Sequence, residues 1–114
     1  MPFTYIIKCG DGSLYTGVCV SVKERMRDHY YKTDMCAKYT RYREIISLEA
    51  LWKSENLSSA CKLEACIKKL KKPQKNELIK NPHKLGKVYG VHLSEIKYEY
   101  IKDVSLGDFI TIEN

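Results

Sequence analysis

Apolar and polar positions change rhythm several times along the chain. Residues 3–9 (FTYIIKC) and 14–19 (LYTGVC) are short, aromatic and β-branched, the composition of strands. Gly10-Asp11-Gly12-Ser13 between them is turn chemistry, so the chain opens with a predicted β-hairpin. Its register decides how two tyrosines relate. If Cys9 pairs with Tyr15, odd positions of both strands share a face and Tyr5 lies on the same side as Tyr15; a one-residue slip separates them. The period then becomes helical. Ser21, with Glu24 three residues on, forms a capping box, and a helix is predicted to about Tyr31. Val22 and Met26 fall on its apolar stripe, and so do Arg25 and His29, one turn apart. Lys23, Glu24, Arg27 and Asp28 lie on the other side. A cation and an imidazole where core residues belong point to a cleft, because buried charge is costly without a partner. The plainer alternative is an arginine with a buried stem and a hydrated head, beside a hydrogen-bonded histidine.

Residues 32–43 are polar and broken, with room for one short helix. In residues 44–53, Ile46, Leu48, Ala50 and Trp52 alternate, which predicts a third, buried strand. Asn56 or Ser58 caps the next helix, whose stripe is Ala60, Leu63, Ile67 and Leu70. Glu64 sits at the edge of that stripe. It either looks into a cleft against the sheet or pairs on the surface with Lys68 at i+4, and spacing alone favours the surface pair. Pro73 stops this helix or opens a second one over 73–80, and Asn81-Pro82 marks a loop. Beyond it, residues 87–93, 96–101 and 109–112 have strand-like composition. The reading is one α+β domain, with a core over residues 1–82 and a β-type extension over 83–114 packed on it.

The chain has 114 residues, enough for one core. No apolar run reaches the ~20 residues a membrane helix needs. The first residues lack the basic-then-apolar pattern of a signal peptide, so a cytoplasmic protein without a membrane partner is expected. Five cysteines, none in a Cys-x-x-Cys pair, argue against a disulfide framework and against a zinc knuckle. Twenty Lys and Arg against 14 Asp and Glu give a net charge of +6, which suits a polyanionic partner. The basic residues cluster around Lys38, Arg41 and Arg43, interleaved with Tyr39 and Tyr42, and again over Lys68–Lys75.

Several short segments then fall in a telling order. Phe3-Thr4-Tyr5 and Tyr15-Thr16-Gly17 lie on the two hairpin strands, the second after Asp11-Gly12-Ser13-Leu14. Glu24-Arg25-Met26 is followed by His29, then Ala37-Lys38-Tyr39-Thr40-Arg41, then Leu63-Glu64-Ala65-Cys66-Ile67-Lys68. Over roughly the first 80 residues this series resembles the GIY-YIG nuclease family, in its small stand-alone bacterial form. Phe3 and Thr4 replace the Gly and Ile of the first tripeptide and Thr16 replaces Ile in the second, while Tyr5 is kept. No aligned motif places Asn76.

The resemblance implies a three-stranded antiparallel sheet flanked by helices, one divalent ion (Mg²⁺ or Mn²⁺), and hydrolysis of phosphodiester bonds in nucleic acid, DNA foremost, with branched or damaged DNA of repair and recombination among the substrates. It implies Glu64 as metal ligand, Arg25 on the phosphate oxygens, Tyr5 as the group that activates water, His29 as its helper and Tyr15 as the group that positions phosphate or water. A phenol titrates near 10 and needs such help. Gly17, Lys38, Tyr39, Arg41, Lys68 and Lys72 are the expected nucleic-acid contacts. Two alternatives stay open: a catalytically idle nucleic-acid-binding module on the same scaffold, and a small domain whose basic face meets an acidic protein. The sequence leaves monomer and homodimer equally open.

Overall fold

The computed structural model describes residues 1–82 and 98–109. The two runs of β-branched and aromatic residues form β1 (Phe3–Cys9) and β2 (Leu14–Cys19), paired antiparallel. Cys9 N–H donates to Ser13 O and Gly12 N–H to Cys9 O, each at 2.9 Å. Gly12 takes φ +84, a conformation that favours glycine. The register, which the sequence leaves open, pairs Ile7 rather than Cys9 with Tyr15, and Tyr5 with Gly17. The shift is by two residues, so parity survives and both tyrosines stay on one face.

Helix α1 (Val22–Tyr31) starts at Ser21, whose side chain accepts from Glu24 N–H at 3.3 Å. Val22, Met26 and His29 are buried, with Arg25 half-buried beside them. Lys32 ends the helix in the left-handed region at φ 56. Residues 32–44 form turns and no helix. Strand β3 (Ile45–Ser54) pairs antiparallel with β1, and β4 (Tyr98–Tyr100) pairs antiparallel with β3. The sheet order is β2-β1-β3-β4, one strand more than the three expected, because residues after position 82 supply β4. Helix α2 (Leu57–Lys68) is capped by Asn56, which accepts from Ser59 N–H at 2.8 Å, and α3 (Lys72–Lys80) carries Pro73 in its first turn. Leu106–Asp108 form a short 3-10 turn, closed by Phe109. The strand-like run at 87–93, residues 96–97 of the run at 96–101 and residues 110–112 of the run at 109–112 lie outside the described residues.

Apolar side chains gather on both faces of the sheet. Tyr5, Ile7 and Cys9 pack with Val22, Met26, Ile45, Leu48, Leu51 and Leu106. Ile6, Ala50 and Trp52 pack on the other face with Leu63, Ile67 and Leu78. β1 is therefore covered on both sides, and α1 and α2 lie on opposite faces. The alternation expected of β3 is corrected by irregular pairing. Ile6 faces Ala50 but Ile7 faces Leu48, and Lys8 faces Ser47 but Cys9 faces Ile45. Each step inserts one extra residue in β3, which switches the face of the residues beyond it. Ala50 and Trp52 face α2, Leu48 joins Ile45 on the α1 side, and Ile46 is half exposed rather than buried. Among the described residues, no helix is long and apolar enough to cross a membrane.

Candidate active site

β1 sets the Tyr5 ring in the middle of the sheet on the α1 side, with no exposed surface. α1 brings Arg25 and His29 to the same phenol oxygen. Tyr5 Oη lies 2.6 Å from His29 Nε2 and accepts from Arg25 Nε at 3.3 Å. The direction of proton sharing is set at the far end. Thr40 Oγ1 donates its one proton to Ala37 O at 3.1 Å, so it accepts from His29 Nδ1 at 2.8 Å. Nδ1 then carries the ring proton, Nε2 is an acceptor, and Tyr5 donates to it. The bonds run one way, from Arg25 through Tyr5, His29 and Thr40 to a backbone carbonyl.

That arrangement needs a neutral imidazole. Burial, followed by the nearby charges of Arg25 and Lys32, pushes His29 down to about 4. Burial also pushes the Tyr5 phenol well up, over the opposing hydrogen bond and charge of Arg25. The family resemblance assigns Tyr5 the activation of water. A sealed, strongly protonated phenol whose proton is committed to His29 is poorly set to take another. Its geometry is that of a group that orients Arg25.

Gly17 faces Tyr5 across the hairpin. A Cβ there would lie 2.4 Å from Tyr5 Oη and 2.6 Å from Cζ, so only glycine leaves room. The close approach at Gly17 is made by the Tyr5 side chain. Arg25 keeps 23% of its side chain exposed; Nη1 donates to Met35 O at 2.5 Å and lies 3.9 Å from Asp28 Oδ2. Its head is thus held through Nε and Nη1, with part of the side chain still exposed.

Tyr15, half-buried on β2, joins this cluster through its ring. The centroid is 6.4 Å from that of Tyr5 and 5.5 Å from that of His29, which it meets edge-on. Tyr39 stacks on it at 5.6 Å with an interplanar angle of 20°. Lys68 Nζ, from α2, sits 5.8 Å from the ring centroid and 3.6 Å from Glu64 Oε2. The surface ion pair allowed by i+4 spacing is therefore present, and it stands beside Tyr15. Among the described residues no bond links Glu64 directly to Arg25 or Tyr5; the connection passes through Lys68 and Tyr15.

The remaining expected contacts scatter. Lys38 and Arg41 are exposed on the turns of residues 32–44. Lys72 belongs to the hairpin end: a Cβ on Gly12 would lie 3.6 Å from its Nζ. With Lys8, Glu49, Asn76 and Lys80 it lines an open groove of about 400 Å³, so Asn76 faces that groove. Sequence reasoning missed Thr40, which fixes the His29 tautomer, and Arg43, which covers the outer face of Tyr39 at 3.9 Å. The signal for Thr40 was its place within Ala37-Lys38-Tyr39-Thr40-Arg41. Arg43 stood out only as one cation of the basic run interleaved with Tyr39 and Tyr42, with nothing to pair it with Asp11. Among the described residues no three His, Cys, Asp or Glu side chains gather as a metal-binding group. Glu64 offers one hard carboxylate with a quarter of its side chain exposed, which fits a Mg²⁺-class ion that keeps most of its waters.

Residues 1–77 match the profile of the GIY-YIG catalytic domain. The chain belongs to the GIY-YIG family. It is similar to UPF0213 protein FN1575 of Fusobacterium nucleatum, 35% identical over 80 residues that span 70% of this chain and 78% of that protein. A UPF0213 protein of Syntrophus aciditrophicus is 38% identical over 84 residues, 73% of this chain and 95% of its own. The solution NMR structure of UPF0213 protein BH0048 from Bacillus halodurans is 32% identical and covers 76% of this chain and 95% of that one, at a TM-score of 0.46. Tyr5, Tyr15, Arg25, His29 and Glu64 all lie inside the GIY-YIG match, while β4 and the 3-10 turn lie beyond it.

Proposed function

We propose that the protein is a metal-dependent endonuclease that hydrolyses phosphodiester bonds in nucleic acid, DNA foremost. The observation that carries this reading is Arg25, held partly exposed by its hydrogen bond to the buried Tyr5 phenol, next to a second phenol, Tyr15, whose ring meets the Lys68–Glu64 pair. Membership of a nuclease family supports it.

Hydrolysis forms a new O–P bond from water as the P–O bond to the departing sugar oxygen breaks, and negative charge gathers on the phosphoryl oxygens. Arg25 meets that charge. Its contacts with Tyr5 and Met35 O fix the fork before substrate arrives, so little reorganisation is needed. Tyr5 and His29 act as positioning residues, passing the rigidity of the Thr40–Ala37 turn to the guanidinium. Tyr15, the half-exposed phenol, orders the phosphate or the attacking water. The proton lost by water passes to solvent on the exposed side, and the departing sugar oxygen takes one from solvent there, since the Tyr5 and Thr40 protons are already committed inside. Glu64 would hold the Mg²⁺ or Mn²⁺, which supplies charge neutralisation and a more acidic water when bound.

Purified protein with Mg²⁺ or Mn²⁺, offered branched, damaged, duplex and single-stranded DNA and RNA, is expected to nick at least one form. Glu64→Ala and Arg25→Ala should each lower the cleavage rate by about 10² or more, while circular dichroism shows the fold intact. If the parent protein binds nucleic acid but cuts none of the panel, hydrolysis is excluded and the idle binding module takes its place.

A further inference from the structure

We propose that Arg43 is a positioning residue of the site, holding Tyr39 flat against Tyr15 and anchoring that stack to the hairpin turn through Asp11. The guanidinium does three things at once. Its carbon lies 3.9 Å above the Tyr39 ring centroid, its Nη1 donates to Tyr39 O at 2.6 Å, and its Nε donates to Asp11 Oδ2 at 3.1 Å. Asp11 is itself fixed, since its Oδ1 accepts from Ser13 N–H at 3.0 Å and from Ser13 Oγ at 2.5 Å. The backbone nearby is tied as well: Gly10 N–H donates to Glu44 O at 2.7 Å, and the Lys32 ammonium donates to Thr40 O at 2.6 Å and to Arg43 O.

The consequence falls on Tyr15. Its ring has Tyr5 and His29 on the inner side, the Lys68 ammonium over it at 5.8 Å from the centroid, and Tyr39 as the group that the 32–44 turns contribute. Tyr15 stands on β2, an outer strand of the sheet, so among the described residues no neighbouring strand holds it from outside. Tyr39 fills that role only while something holds Tyr39. Arg43 covers one face of the Tyr39 ring and Tyr15 the other, so Tyr39 is a spacer in a three-layer stack rather than a free platform for a base. Lysine cannot reproduce the planar contact and the two directed hydrogen bonds together.

The kinetic part of this inference rests on the endonuclease reading, whereas the clamp itself can be tested without turnover. Tyr15 nitration by tetranitromethane is followed by mass spectrometry, with Tyr42, 89% exposed, as the internal reference. Arg43→Ala should raise the Tyr15 rate several-fold relative to Tyr42, and Asp11→Asn should raise it less. On a cleaved substrate, Arg43→Ala should lower kcat roughly tenfold with KM and Tm little changed, since a small misplacement of a reacting group is costly. Arg43→Lys should not restore kcat. An unchanged Tyr15 nitration rate in Arg43→Ala overturns the clamp while leaving the nuclease reading intact. A variant that loses Tm and kcat together, and is rescued by lysine, overturns it in favour of a simple loop tether. If no substrate is cut by the parent protein, the nuclease reading fails and nitration alone decides the clamp.

Discussion

Gly17→Ala adds one methyl group at the tightest contact of the site. The new Cβ would lie 2.4 Å from Tyr5 Oη and 2.6 Å from Cζ, where ordinary contact begins at 3.4 Å, so the phenol must retreat by about 1 Å. Gly17 is not among the glycines with positive φ, so alanine suits the backbone and the whole cost is steric. Tyr5 cannot swing aside, being fully buried against the core of the α1 face. Overpacking of this kind costs about 1–3 kcal/mol. Losing the hydrogen bond to His29 adds about 1 kcal/mol. At 4–8 °C per kcal/mol for a domain near 100 residues, the resulting loss of about 2–4 kcal/mol lowers Tm by about 8–32 °C. Thermal unfolding by circular dichroism reads this directly. Combining Gly17→Ala with Tyr5→Phe removes the nearest atom, so the double variant should lose less than the sum of the singles by about 1 kcal/mol. A Tm for Gly17→Ala within about 2 °C of the parent, or strict additivity in the pair, would refute the steric argument.

Two further outcomes rest on the same geometry. His29 has its pKa depressed from 6.5 to about 4, so between those values the unfolded chain binds the proton that the folded chain refuses. Its contribution is present in full above pH 6.5 and is lost as pH falls to about 4, an effect of up to about 3 kcal/mol. Urea unfolding across that window should show the slope, and His29→Gln should flatten it; an equal slope in both proteins contradicts the assignment. Lys38, Arg41, Lys68 and Lys72 are exposed cations. Replacing all four by glutamine should reduce the slope of log K against log salt for duplex DNA by about 3–4, at roughly 0.9 per phosphate contact. An unchanged slope would place the nucleic acid elsewhere on the surface.

The hairpin was legible because Gly10-Asp11-Gly12-Ser13 confines the turn, while its register was left open, and a shift of two residues costs nothing in facing. The stripe carrying Arg25 and His29 was equally plain, since helical spacing alone brings both to the Tyr5 side. β3 was misread at Ile46 and Leu48. Two inserted residues in its pairing with β1 leave no mark in an alternating sequence, because the irregularity is settled by the partner strand. The turns of residues 32–44 were opaque for a related reason. Thr40 and Arg43 matter through His29, Asp11 and Tyr39, whose positions only the tertiary fold supplies. For Glu64 the spacing described the ion pair with Lys68 but not the tyrosine ring beside it.

β4 closes one side of the sheet and leaves β2 as the longer outer strand among the described residues. Among the described residues, the longer of the two flanks without a strand partner is therefore the one that carries Tyr15 and Gly17. Any second chain that zipped onto it as an added strand would lie directly beside the strand that carries Tyr15, whereas one added at β4 would be separated from it by three strands.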